Sequence, residues 1–191
     1  MKSKTLVLIS ALLLVPLLVS ADELIRNGGF EDSLNYWTWT PGLGGYYESC
    51  NVWSYRPPDH QVCLFKYDAT GSVNTRLYQT VSIPYLNLRF SFQGKFQAVE
   101  LNPAATYSAW SGMALEYRDA GGGYLGRTIF ISQTPHSLLV SSPTQHLIPV
   151  SDTNWNAYAV DLVNELGNLP GITPDQVRAI TVAAMDSTDG C

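Results

Sequence analysis

Residues 23–39 read ELIRNGGFEDSLNYWTW and combine a short apolar segment, a glycine turn, an acidic pair and an aromatic cluster. The run Asn27-Gly28-Gly29 marks a tight turn, because these residues accept backbone conformations that others avoid. The pattern predicts a short strand followed by a turn at the start of the folded domain.

Residues 1–21, upstream of this stretch, have the features of a secretory signal peptide. Two lysines give a basic start, an apolar run of about 16 residues follows, and small residues stand before Asp22, where a signal peptidase would cut. The alternative is a membrane anchor, but a spanning helix needs about 20 apolar residues, and Pro16 interrupts this run. The sequence therefore predicts a mature chain of residues 22–191 that is secreted or held at the cell surface, with no membrane segment after cleavage.

The composition favours an all-β domain and argues against several classes of function. Charged residues make up 14% of the chain and aromatic residues 12%, and 15 glycines and 11 prolines are present, which is typical of a β-protein rather than a helical or disordered one. Eleven Lys and Arg stand against 16 Asp and Glu without a basic cluster, which argues against nucleic acid as a partner. The sequence contains no serine-hydrolase, zinc-protease or phosphate-binding motif.

Alternation of apolar and polar residues predicts about nine strands and no long amphipathic helix. The clearest strand is residues 86–97, LNLRFSFQGKFQ, where every second residue from Leu86 to Phe92 is apolar, so that one face packs on a core and the other is polar. Residues 119–123, DAGGG, mark a hairpin between two further strands. The spacing of the strands is typical of one β-sandwich domain over residues 22–191.

The opening stretch resembles the start of the β-jelly-roll carbohydrate-binding modules of the galactose-binding-domain-like superfamily. Asn27-Gly28-Gly29-Phe30-Glu31 and Trp37 match its Asn-Gly-x-Phe-Glu and tryptophan pattern. The later segments follow in the family's order, LYQTVSI before LRFSF and WNAYAVDL before VRAITV. The resemblance implies a jelly-roll fold and carbohydrate binding without catalysis. It also implies one more strand after residues 177–185, so either the sequence is cut short or the module closes without that strand.

The resemblance further implies a structural calcium ion near the opening turn. In the family, a glutamate at the position of Glu31, a glycine carbonyl such as that of Gly29 and an aspartate on the last strand bind the ion, and calcium prefers such oxygen ligands. Glu31 and Gly29 match, but the last-strand aspartate is not in view. The alternative is that Glu31 and Asp32 only cap or solvate the turn.

Three cysteines are present, and a secreted protein is expected to contain disulfides. Cys50 and Cys63 flank a turn-rich segment, which favours a bridge across the two arms of a hairpin. Cys191 is then left over, and an odd thiol suggests a disulfide with a partner molecule.

Aromatic and polar residues together predict a cleft that binds a glycan. Sugar rings stack on aromatic faces, while polar side chains bond to the sugar hydroxyls. Two predicted loops are rich in aromatic residues, and the polar faces of two strands supply planar donors and acceptors. The candidate ligand-binding residues are Trp53, Tyr55, Arg89, Gln93, Tyr107, Trp110 and Glu116. The alternative is that Trp53 and Trp110 fold inward, and that Arg89 and Glu116 form a plain ion pair across two strands.

Three functions remain open on the sequence. The first is the secreted carbohydrate-binding module that the resemblance implies. The second is a cell-surface structural domain that uses the same scaffold to bind protein, which the odd Cys191 favours. The third is a small glycan hydrolase, although Glu100, Glu116 and Asp161 show no spacing that would place two carboxylates about a scissile bond.

Overall fold

The computed structural model describes residues 23–42, 47–56, 59–67, 73–100, 108–137 and 139–189. Within these ranges, the side chains at positions 47, 55, 56, 59, 67, 73 and 189 are not part of the description. The predicted signal peptide, Tyr107, Cys191 and the side chain of Tyr55 therefore lie outside the described residues. The described part of the chain has no helix that is long and apolar enough to cross a membrane.

Strands dominate the structure, which confirms the predicted all-β sandwich. The described residues form β1 (Thr38–Thr40), β2 (Tyr47–Arg56), β3 (Asp59–Tyr67), β4 (Val73–Ser82), β5 (Arg89–Gly94), β6 (Ser108–Arg118), β7 (Tyr124–Gln133), β8 (Gln145–Pro149), β9 (Asn156–Asp161) and β10 (Ala179–Asp189). A short helix, α1 (Leu162–Leu166), and a 3-10 turn (Pro174–Gln176) follow β9.

Six strands form a main sheet in the order β1-β4-β10-β6-β7-β8, while β5 pairs with β9 in a small sheet and β2 pairs with β3 in a hairpin. In the main sheet β7 and β8 run parallel, and the other neighbours run antiparallel. β10 occupies the middle of the main sheet, where both of its faces are covered. Its sequence AITVAAM suits this place, because it offers small or apolar residues to both faces.

The small sheet packs on one face of the main sheet, here called the inner face. Leu115 and Tyr117 of β6 are fully buried there, and Phe90 of β5 packs against the same cluster. Further along, the rings of Phe92 on β5 and Phe130 on β7 meet edge to face, with 5.2 Å between centroids. Burying each such side chain stabilises the fold by roughly 1.5–3 kcal/mol. These contacts between the two sheets make the sandwich.

The outer face of the main sheet carries the alternate residues of the same strands. Ala114, Ile129 and Ala183 are fully buried there in a second apolar cluster, with Leu139 from the segment between β7 and β8 packed against it. Glu116 follows Ala114 on this face, two residues further along β6. The outer face is therefore apolar in one part and polar in the part beside it.

The hairpin of β2 and β3 corrects the predicted disulfide. Cys50 lies opposite Leu64, and Cys63 lies opposite Asn51. Since successive residues of a strand alternate between faces, the two thiols leave opposite faces of the hairpin, and both are free. The Cys50–Cys63 bridge is thus not formed, because bridged side chains must point toward each other. Burial raises the pKa of the Cys50 thiol to about 11, with a smaller contribution from Cys63, so this thiol is protonated at neutral pH.

Residues 23–37 form a series of hydrogen-bonded turns instead of the predicted short strand. Asn27 has a positive φ of 51°, and its amide donates to two carbonyls of the same loop at 2.9 and 3.1 Å. The indole N–H of Trp37 donates to the Asn27 carbonyl at 3.0 Å. The side-chain amide of Gln79 on β4 accepts the backbone N–H of Arg26 at 2.8 Å and donates to the Arg26 carbonyl at 2.9 Å. These bonds fasten the opening stretch to the main sheet.

Replacing Gly112 by Ala is expected to lower the melting temperature by roughly 5–10 °C. A Cβ at this position of β6 would lie 2.3 Å from the backbone oxygen of Phe130 on β7, so the two strands would have to separate. Gly121→Ala is the matched control, because its Cβ would meet nothing closer than the Asp119 carboxylate at 3.4 Å. Equal melting temperatures for the two variants, measured by circular dichroism, would contradict the pairing of β6 with β7.

Candidate functional site

The structure separates the polar residues that the sequence had placed in one cleft. Met113, Leu115 and Tyr117 face the core, as expected, so Glu116 faces outward from the main sheet. Arg89 and Gln93, however, lie on β5, whose partner is β9 in the small sheet. Both are exposed on the far side of the sandwich. The predicted cleft that joins Gln93 to Glu116 is therefore wrong, since the core lies between them.

The predicted aromatic walls are also separated. Trp110 is 7% exposed and belongs to the apolar cluster on the outer face, so the prediction that it clamps a ligand is wrong. Trp53 is 58% exposed on β2 and faces solvent from the hairpin. Tyr55 lies two residues further along the same strand, and Tyr107 lies outside the described residues. A ligand-binding role for Trp53, Tyr55 or Tyr107 stays a prediction.

A row of polar residues crosses the outer face of the main sheet. Each member lies opposite the next in the strand register, and the row runs over five strands in the order Thr80, Thr181, Glu116, Arg127 and Gln145. The Thr80 and Thr181 hydroxyls share a hydrogen bond of 2.8 Å, and Arg127 Nε donates to Gln145 Oε1 at 2.7 Å. With strands about 4.8 Å apart, this polar row is roughly 19 Å long.

Two arginines bind the carboxylate at the middle of the polar row. Arg118 and Arg76 each donate to Glu116 Oε2, at 2.7 and 3.0 Å, although Arg76 comes from β4, two strands away. Arg118 also donates to Thr181 Oγ1 at 2.7 Å and to the Gly122 carbonyl at 3.0 Å. Glu116 is 4% exposed, while the two guanidinium side chains remain about a quarter exposed. The buried carboxylate of Glu116 therefore holds the two arginines in place, and their side chains remain partly accessible at the surface.

Two tyrosines border the polar row. The Arg76 guanidinium lies 4.6 Å from the centroid of the Tyr78 ring, a cation–π contact that holds the ring on the outer face. Tyr124 is 52% exposed and lies opposite Arg118 in the register. Desolvation raises the pKa of the Tyr124 hydroxyl, while Arg127 and Arg118 act to lower it and Glu116 acts to raise it. The Tyr124 hydroxyl is thus neutral and close to the charges of the row.

The structure leaves the predicted calcium site untested. Glu31 is exposed, and its carboxylate folds back over Gly29. Calcium takes six to eight oxygen ligands. No group of three His, Cys, Asp or Glu residues that could hold a metal ion occurs in the described ranges. Calcium binding by Glu31 and Gly29 stays a prediction, and no role in the site is derived from it.

Sequence reasoning missed most members of this site. Arg76, Tyr78 and Thr80 alternate along β4, and Glu116 and Arg118 alternate along β6, so the outward orientation of each set could have been found from its own strand. Their convergence depends on the order β4-β10-β6-β7-β8, in which sequence neighbours are not always spatial neighbours. No local pattern carries that order.

The fold and the site define an all-β sandwich with a charged and aromatic strip across the outer face of the main sheet. Neither protein-family models nor curated proteins match the sequence. Two solved structures are similar in fold. One is the enzymatically active domain of bacteriophage CBA120 tailspike protein 4, at a TM-score of 0.45 and 13% identity, over 88% of this chain and 19% of that one. The other is TmCBM61 in complex with β-1,4-galactotriose, at a TM-score of 0.42 and 15% identity, over 89% of this chain and 96% of that one. The chain thus spans about a fifth of the tailspike domain.

Proposed function

We propose that this protein is a secreted carbohydrate-binding module that binds a glycan along the polar row. The observation that carries the proposal is the row itself, which places hydrogen-bond donors and acceptors over five strands next to the rings of Tyr78 and Tyr124. Sugar hydroxyls bond to such groups, and the apolar faces of sugar rings pack on tyrosine. The predicted signal peptide supports a location of this activity outside the cell.

The proposal is of binding without catalysis. Glycoside hydrolysis needs two carboxyl groups on either side of the scissile bond. The polar row contains one carboxylate, Glu116, and two arginines already bind its Oε2. A carboxylate held in this way positions the donors of the two arginines.

A second candidate function, contact with another protein, is favoured by the hairpin. Trp53 is 58% exposed, and the exposed thiol of Cys63 lies on the same face of the hairpin, because Cys63 pairs with Asn51, two residues before Trp53. An exposed tryptophan beside a thiol suits a protein partner at least as well as a sugar.

Affinity electrophoresis of the mature chain through gels that contain xylan, β-glucan, mannan, galactan or pectin tests the first proposal. We expect one polysaccharide to retard the protein. Tyr124→Ala should weaken binding about tenfold, because it removes the most exposed ring beside the row. Trp53→Ala, which removes an exposed ring on the hairpin, should leave binding unchanged. Both substitutions are at exposed side chains, so the melting temperature should stay within about 2 °C of the parent.

Three outcomes would contradict the proposal in different ways. If none of the five polysaccharides retarded the folded protein, the proposal of carbohydrate binding would be contradicted. Loss of binding in Trp53→Ala but not in Tyr124→Ala would move the site to the hairpin. Release of reducing ends from the retarding polysaccharide would show a hydrolase.

A further inference from the structure

The outer face around the polar row carries more positive than negative charge. Among the described residues, Glu116 is the one carboxylate that binds any of Arg76, Arg118 and Arg127, so two of these three guanidinium charges have no described anion to balance them. Asp119 does not supply one, because its carboxylate accepts the N–H groups of its own turn at 2.8 and 2.7 Å. This excess stands out in a chain whose net charge is −5.

Arg127 is the clearest case. It lies directly opposite Glu116 in the register, yet its Nε donates to the neutral amide oxygen of Gln145 at 2.7 Å. Among the described residues, no carboxylate lies within 4.0 Å of its guanidinium nitrogens, and its two terminal nitrogens donate to no described acceptor. The Arg127 side chain is partly buried, so its charge is not fully hydrated, and no described anion pairs with it.

Arg76 repeats the pattern on the other side of Glu116. One terminal nitrogen donates to Glu116, and the ring of Tyr78 covers the group. Its Nε is buried and has no hydrogen-bond partner. A half-desolvated guanidinium without an anion is unfavourable, and it becomes favourable when a planar oxyanion accepts two of its N–H bonds.

We propose that the glycan bound by this protein is anionic, and that Arg127 binds an oxyanion on it, either the carboxylate of a uronic acid or a sulfate ester. This inference rests on the proposed function, because it names the class of glycan for the same site. Tyr124 then packs against the sugar ring that bears the charged group. The Glu116–Arg118 pair fixes the floor beneath it.

Matched polymers separate this inference from the proposed function. Isothermal titration with polygalacturonate oligosaccharides and with their carboxyl-reduced, neutral counterparts tests the uronic carboxylate, and carrageenan oligosaccharides with and without their sulfate esters test the sulfate. The charged member of one pair should bind at least tenfold more tightly than its neutral counterpart. Its affinity should fall several-fold between about 50 mM and about 300 mM salt, because salt screens charges at an exposed site.

Arg127→Gln and Arg89→Gln form a matched pair of variants. Each removes one positive charge, but Arg89 is exposed on the outer side of the small sheet, away from the polar row. Arg127→Gln should lower affinity for the charged polymer about tenfold more than affinity for the neutral one, whereas Arg89→Gln should change neither. Arg127→Lys, which keeps the charge and loses the fork of donors, should recover only part of the affinity.

The outcomes that would overturn the inference are distinct. Equal binding of charged and neutral polymers would overturn the anionic ligand and leave carbohydrate binding intact. No binding to any polymer would overturn both. Equal losses in Arg127→Gln and Arg89→Gln would show that net charge, and not Arg127, attracts the polymer.

Discussion

Replacing Glu116 by Ala is expected to lower the free energy of unfolding by about 2–3 kcal/mol. Removal of one partner from a buried ion pair typically costs about 3–5 kcal/mol, because the other partner stays buried without an opposite charge. Here Arg76 and Arg118 would both lose their carboxylate, but they are 25% and 24% exposed, so water compensates in part. The expected loss is therefore below the full range and still among the largest for any single polar residue on this face.

Urea unfolding followed by tryptophan fluorescence measures this loss. Asp161→Ala is the matched control, because Asp161 is a carboxylate in a strand that is exposed on the outer side of the small sheet, and its removal should cost less than about 0.5 kcal/mol. Arg76→Ala in the Glu116→Ala background should then recover stability, since one of the two stranded charges is gone. A Glu116→Ala variant as stable as Asp161→Ala would mean that the carboxylate does not hold the two arginines.

The alternation of apolar and polar residues was enough to predict most strands and their orientation. The alternation around Leu86–Phe92 predicts a strand, and β5 lies there. The expectation that Leu115 and Tyr117 face the core is confirmed, and Glu116 accordingly faces outward. Alternation works in these places because one face of the strand meets a core and the other meets water. It reports the face of a residue within its own strand and carries no information about which strand lies beside it.

The errors follow from that limit. β5 and β6 were treated as neighbours because they are close in sequence, whereas β5 pairs with β9 and β6 lies between β10 and β7. The residues around Trp110 are typical of a loop in sequence, but β6 begins at Ser108 because it pairs along the whole length of β10. β8 was missed since it is short, ends at Pro149 and pairs in parallel with β7, which no local pattern indicates.

The same limit explains why the site was found only in part. Alternation along β6 predicts that Glu116 faces away from the core, which the structure confirms, but the sequence suggests Arg89 as its ion-pair partner across two strands. The arginines that bind it come from β4 and from its own strand, and β10 lies between β4 and β6. Arg127 lies opposite Glu116 in the register of the β6–β7 hairpin, which the glycine-rich turn predicts. Of the charged residues in the site, it was therefore the one most open to prediction.

The free energy of unfolding is expected to fall by about 2–3 kcal/mol between about pH 5 and about pH 8 because of Asp186 alone. Asp186 lies on β10 where the hairpin meets the main sheet, and it accepts the backbone N–H of Lys66 at 3.1 Å. Desolvation raises its pKa from 3.8 to about 7, and this hydrogen bond, another from Ser187 and the charge of Lys66 offset the increase only in part. The Lys66 side chain does not neutralise the site by itself, since its Nζ also bonds Glu48 Oε2 at 3.2 Å.

The direction of the effect follows from the raised pKa. Between about pH 4 and about pH 7 the folded protein holds a proton on Asp186 that the unfolded chain has released, so stability from this group is complete at low pH and is lost as the pH rises through 7. Asp186→Asn mimics the protonated form, so its stability should equal that of the parent only below about pH 4, and its advantage over the parent should be about 2–3 kcal/mol larger near pH 8 than near pH 5. Subtracting the two urea-unfolding profiles removes every other titrating group. Asp161→Asn, the same change at an exposed position, should leave the pH dependence of the unfolding free energy unchanged. If Asp186→Asn also left it unchanged, Asp186 would be ionised and well solvated where the hairpin meets β10.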